Sequence, residues 1–265
     1  MRNLLTLLAL ITALMLFDAD AKSPVLILSS SNTVSIVGPI SVASVNKASV
    51  EILSLHAKLP KGKSIILFLD TPGGSISAGN SLIELIQGLP RKVVTVTAFA
   101  ASMGYQIVQS LNTRYVLESG TLMSHRAAIG GLSGQVPGEA NTRLSWISEI
   151  VEELEVKTAK RVRMSTKAYK ELIRDELWLT GSKAVATYHA DKVVKIRCDS
   201  SMLGTYDETV NTMFGAVTVT FHRCPMISGP VKIKSDDEGM DNIKFEQAKE
   251  EVNGWFSRKK GIWSL

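Results

Sequence analysis

KVVTVTAFAASMGYQIVQSL, Lys92 to Leu111, changes its period halfway. After Lys92, the next seven residues are β-branched or apolar, as in a strand. SMGYQIVQSL then carries apolar residues at helical spacing. Ser102 stands alone at the join, among Ala, Met and Gly. A serine there has an ordinary role, capping a helix at a tight strand-to-helix turn. The same grammar recurs on both sides. SIILFLD (Ser64 to Asp70) is a nearly continuous apolar run ending in TPGG, and SAGNSLIELIQGL comes after it with helical period. TRYVLES (Thr113 to Ser119) reads as the next strand, and upstream VLILSSSNTVSIVGPI gives one or two short strands before the helical VNKASVEILSLHAKL. Strand alternating with helix predicts an α/β fold with a mainly parallel sheet under packed helices.

The composition suits an ordinary globular protein, with 265 residues, 45% hydrophobic and 21% charged. Arg2 precedes the apolar run Leu4 to Phe17, followed by DADA, where Ala19 and Ala21 sit at the positions a signal peptidase reads. That run is short for a membrane span, so residues 1–21 are expected to be a secretory signal peptide rather than an anchor, and the mature chain periplasmic or secreted. Removing them takes one basic and two acidic residues from totals of 30 and 25, moving the net charge from +5 to +6. The basic residues are scattered, with no stripe of interleaved aromatics, so a nucleic-acid partner is not expected. No Cys or His spacing resembles a metal site, and no cofactor is expected. Cys198 and Cys224 form an isolated pair, which in an exported chain is read as a disulfide.

Three strand ends carry unusual residues: TPGGS after the first, AASMG after the second and MSHRA after the third. In a parallel sheet the carboxyl ends of successive strands converge on one edge, which would bring Gly74, Ser102 and His125 together. A serine hydroxyl needs a base to become a nucleophile, and histidine is the usual base near neutral pH. The oxyanion formed on attack needs fixed donors, which backbone N–H groups at a glycine turn and just after the nucleophile can supply.

From about Val34 to Val194 the chain resembles the ClpP serine peptidases, within the ClpP/crotonase fold of repeated β-β-α units. TPGG resembles their SPGG, AASMG matches their nucleophile motif, MSHRA is similar to their M-x-H-Q-P, and GGLSGQ (Gly130 to Gln135) looks like the G-G-x-x-G-Q that comes after their histidine. The resemblance implies Ser102 as nucleophile, His125 as general base and acid, and the N–H groups of Gly74 and Met103 as the oxyanion hole. It puts the third acid in RDELW, at Asp175 or Glu176, with Asp175 favoured by its RD dipeptide. Substrate would lie extended beside Gly130, Gly131, Leu132 and Ser133, pairing as an added strand. The expected activity is ATP-independent endopeptidase cleavage of short or unfolded polypeptides through an acyl-enzyme. A homo-oligomer is expected, and an exported form would not meet a Clp ATPase. QVPGEAN departs from the family's polar continuation that helps pair its rings, so ring stacking does not carry over.

The rival readings are a crotonase-type acyl-CoA enzyme and an inactive scaffold of the same fold. Lys61 and Lys63 raise a serine–lysine dyad, but before a strand they read as its solvated edge. His56, His189 and His222 read as structural or surface residues. Asn141 to Arg163 forms a long helical pattern with Trp146, Ile150, Val151, Leu154 and Val156 on one face, and Trp146 and Trp178 are expected in the core. The expected organisation is a signal peptide (1–21), a catalytic domain (22–197) and a C-terminal extension (198–265) with a β-hairpin and a terminal helix.

Overall fold

Val25–Leu28 (β1) and Thr33–Val37 (β2) are two short strands ahead of the first helix. The computed structural model describes residues 23–128, 135–235 and 240–256, so the signal-peptide reading and Gly130, Gly131, Leu132 and Ser133 lie outside the described residues. Helix α1 (Val42–Lys58) opens on a reciprocal cap, in which the Ser41 hydroxyl accepts from the Ser44 N–H and the Ser44 hydroxyl from that of Ser41. Its inward stripe is Val45, Ala48, Ile52 and Leu55 at helical spacing.

Strand β3 (Ile65–Thr71) is buried at every position, which is why it reads as an unbroken apolar run. After it come α2 (Ile76–Gly88), β4 (Val93–Ala101), α3 (Met103–Ser110) and β5 (Thr113–Ser124). The rest of the main body is α4 (Glu139–Arg161), α5 (Thr166–Leu172), β6 (Leu177–Thr180), α6 (Gly181–Ala186) and β7 (Lys192–Cys198). The sheet runs β1-β7-β5-β4-β3-β2, with these neighbours parallel, while β6 pairs antiparallel with the far half of β5. One face packs on the helices through Ile36, Leu67, Leu69, Ile107 and Tyr169. The opposite face buries Leu28, Phe68, Val96 and Val194 together with Met202.

Beyond β7, the chain forms an antiparallel sheet of β8 (Thr205–Thr212), β9 (Gly215–His222) and β10 (Pro230–Ser235), covered by α7 (Asn242–Phe256). Val217 and Val219 from β9 meet Ala248 and Val252 from α7 in a separate small core. A third strand therefore joins the expected hairpin. Cys198, the last residue of β7, is disulfide-bonded to Cys224, with their Cα atoms 5.9 Å apart. A second tie is Lys47 on α1, which pairs with Glu208 and lies 5.0 Å from the centre of the Tyr206 ring.

Trp146 and Trp178 depart from the core positions expected of them. Trp146 is 56% exposed on α4, because that helix buries only Ala140, Thr158 and Ala159 and presents its middle outward. Trp178 is 38% exposed and stacks on Phe99, with ring centroids 6.4 Å apart. Among the described residues, no helix is long and apolar enough to cross a membrane.

Candidate active site

The sheet register sets the positions of the candidate residues. Thr71 at the end of β3 lies opposite Ala100 of β4, and Ala101 lies opposite Met123 of β5. The residues just past these three strands therefore emerge at one edge: Gly73 and Gly74, then Ser102, then His125. Ser102 holds φ 54° and ψ −120°, a conformation that side-chain-bearing residues seldom adopt. Its backbone N–H donates to the Met123 carbonyl (3.0 Å), fixing the turn to β5. Its side chain does not cap α3, so the hydroxyl is not committed to the helix it precedes.

Glycine is required at the turn that abuts this serine. A Cβ on Gly73, at φ 97°, would sit 2.6 Å from both the Ala101 carbonyl oxygen and the Ser102 Cβ. A Cβ on Gly74 would fall 2.3 Å from the Ile40 carbonyl oxygen. The Ile40 N–H donates to Gly73 and the Ser75 N–H donates to Ile40, which leaves the Gly74 N–H outside that pair of bonds. Met103 is the first residue of α3, and its N–H is one of the donors a helix start leaves without an internal acceptor.

Ser102, Met103, Gly74 and His125 line one cavity of about 140 Å³. The His125 Nε2 atom is buried and has no hydrogen-bond partner. The preceding residue, Ser124, is pinned by a 2.8 Å bond between its hydroxyl and that of Tyr169. An unpaired buried imidazole nitrogen is costly to maintain, and it is what a base awaiting a proton requires. The other walls are Ile76, Val151, Leu154 and Ile173, with Gln106 and Glu155 as the polar members. Val151 and Leu154 are visible in the sequence as one helical face, but Glu155 becomes a site residue only when α4 folds over the cavity.

Neither candidate acid lines the cavity. The Asp175 carboxylate is bonded by Arg174 through Nε (3.0 Å) and Nη2 (2.9 Å), and this guanidinium holds its pKa below the usual value. Glu176, at φ 72°, accepts a 2.9 Å hydrogen bond from the Trp178 indole N–H. Lys61 and Lys63 are exposed in the turn after α1, where Arg91 donates to the carbonyls of Pro60 and Lys63, away from Ser102. His56 accepts from Arg91 and His222 from the Cys224 N–H. His189 is buried and accepts from or donates to the Tyr105 hydroxyl at 2.6 Å. Among the described residues, no cluster of three or more His, Cys, Asp or Glu side chains is arranged for a metal ion.

Comparison with known proteins identifies the family. The sequence model of the Clp protease family matches residues 18–197. The ATP-dependent Clp protease proteolytic subunit 3 of Streptomyces coelicolor is 30% identical over 162 residues, covering 59% of this chain and 72% of the relative. Subunit 2 from Tropheryma whipplei is 28% identical over 151 residues, covering 56% and 82%. Subunit 2 from Thermobifida fusca is 29% identical over 154 residues, covering 56% and 73%. With the family's sequence model spanning most of its length, and an α/β fold whose sheet is mainly parallel, the chain belongs to the Clp protease family.

Proposed function

We propose that this chain is an exported serine endopeptidase that cleaves short or unfolded polypeptides through an acyl-enzyme at Ser102. The observation that carries this reading is the strained Ser102 turn opening on the same cavity as a buried, unpartnered His125 Nε2. His125 takes the Ser102 hydroxyl proton as Oγ attacks the scissile carbonyl carbon. The Gly74 and Met103 N–H groups receive the oxyanion. His125 then returns the proton to the leaving amine, and water hydrolyses the ester by the same sequence in reverse roles. The third acid is assigned to Asp175, with Glu176 as the alternative. Arg174 holds Asp175 through Oδ2 and so competes with the imidazole for its carboxylate. Substrate runs as an added strand beside Gly130 to Gln135.

The chain acts without ATP and as a homo-oligomer. Support for assembly comes from α4, a 23-residue helix that leaves Leu144, Trp146 and Val156 open to solvent, and from relatives whose names call them subunits. Support for an oxidising compartment comes from the Cys198–Cys224 pairing. Treatment with a fluorophosphonate probe tests the reading. Covalent labelling at Ser102, lost in Ser102→Ala, is expected. Binding of an acyl-CoA thioester without labelling would replace the peptidase with a crotonase-type enzyme, and neither reaction would indicate a scaffold.

A further inference from the structure

The catalytic cavity is not uniformly apolar. Helix α4 lays Val151, Leu154 and Glu155 along it, residues spaced by three and four and therefore on one helical face. Ile76, Met103 and Ile173 complete walls that suit a methylene chain. The Glu155 side chain is only 12% exposed. Gln106, the other polar wall residue, has its carbonyl oxygen occupied by the Thr158 hydroxyl (2.7 Å), so Glu155 is the charged acceptor at this wall. Opposite charge cancels it only in part. Lys170 lies 3.5 Å from Glu155 but also pairs closely with Glu152, so one ammonium faces two carboxylates. A surplus negative charge remains where water is scarce and charges act strongly.

We propose that this cavity is the pocket for the substrate side chain on the amino-terminal side of the scissile bond, and that Glu155 selects a long basic side chain there, lysine or arginine. About 140 Å³ accommodates a single side chain with an apolar stem. The stem lies against Val151, Leu154 and Ile173, and its cationic end meets the Glu155 carboxylate. A neutral side chain of the same length fills the walls but leaves the carboxylate with only its share of the Lys170 ammonium, a mismatch that discriminates between the two. The inference rests on the peptidase reading, because the nucleophile at the cavity mouth defines which side chain enters it.

Two fluorogenic peptides that differ only in lysine against norleucine at that position test the pocket on the full chain. Lysine is expected to give at least tenfold higher kcat/KM. Glu155→Gln should bring that ratio to one or below, mainly by lowering kcat/KM for the lysine peptide, while Ser102 is still labelled by the fluorophosphonate. Lys170→Gln, which removes the competing ammonium on the outer side, should enlarge the lysine preference, and it keeps the idea testable if Glu155→Gln fails to fold. Equal cleavage of both peptides, or a lysine preference that survives Glu155→Gln, with Ser102 still labelled, overturns the pocket assignment and leaves the peptidase standing. Absence of both labelling and cleavage in the wild-type chain overturns the two together.

Discussion

The turn at Ala101–Met103 and the segment Arg174–Trp178 carry the two ends of the expected triad, and they are built differently. At the first, buried parallel strands set the backbone and close contact makes glycine necessary at Gly73. At the second, exposed side chains choose among exposed partners: Asp175 takes Arg174 and Glu176 takes Trp178. Geometry fixed by strand register costs many contacts to disturb, whereas an exposed ion pair contributes little. The first region is therefore committed to one arrangement, whereas the second is held only by exposed side-chain contacts.

Ser102→Ala tests the committed end and has the largest expected effect. kcat/KM should fall by about a thousandfold or more, with the midpoint of thermal unfolding nearly unchanged, since one small residue replaces another. Wild-type turnover in this variant would remove Ser102 from the mechanism.

The C-terminal sheet should behave in the opposite way, affecting stability without affecting turnover. Its disulfide spans a sequence separation of 26 residues. On the chain-entropy account, opening that loop in Cys198→Ser/Cys224→Ser costs about 3.5 kcal/mol. Denaturant midpoints should drop accordingly while peptide cleavage per folded molecule stays within twofold. A matching loss of kcat would mean that the extension shapes the cavity.

His189 offers a buried counterpart to the exposed acids. It supports α3 from behind, through Tyr105, and burial together with the charge of Arg114 lowers its pKa from 6.5 to about 4. Between those values the unfolded chain binds a proton that the folded chain does not. The contribution to stability is thus complete above about pH 6.5 and declines as pH falls toward 4, by up to about 3 kcal/mol. Urea midpoints measured from about pH 4 to 7 should show this slope, and His189→Gln should flatten it. An unchanged slope in the variant would assign the acid sensitivity to other groups.

The same division explains what could be read in the sequence. β3, β4 and the Ser102 turn were legible because burial on both faces and close glycine contacts restrict which residues fit. β8 was not, since TYDETVNT alternates exposed with half-buried positions and owes its strand form to pairing with β9. The inward placement of Trp146 failed because apolar spacing marks a face without saying what covers it, and the middle of α4 faces solvent. Glu155 gave no signal as a pocket residue, since a lone carboxylate on a charged helix looks like any solvated one until the fold brings it beside Ser102.

The smallest expected effects lie at Arg174–Glu176, and they decide whether the loose end takes part at all. Asp175→Asn should lower kcat at least tenfold, because the carboxylate then no longer steadies the His125 imidazolium. The loss should be smaller than for Ser102→Ala, since Arg174 competes for the Asp175 carboxylate in the wild-type chain. Arg174→Gln removes that competitor, and kcat should then rise by about two- to threefold, in keeping with the modest strength of an exposed pair. Glu176→Gln should leave kcat within twofold, because its carboxylate is bonded to Trp178. A collapse of kcat confined to Glu176→Gln would transfer the role to that residue. If neither acid matters beyond a few-fold and Arg174→Gln has no effect, the site works as a Ser102–His125 dyad, with His125 the complete base.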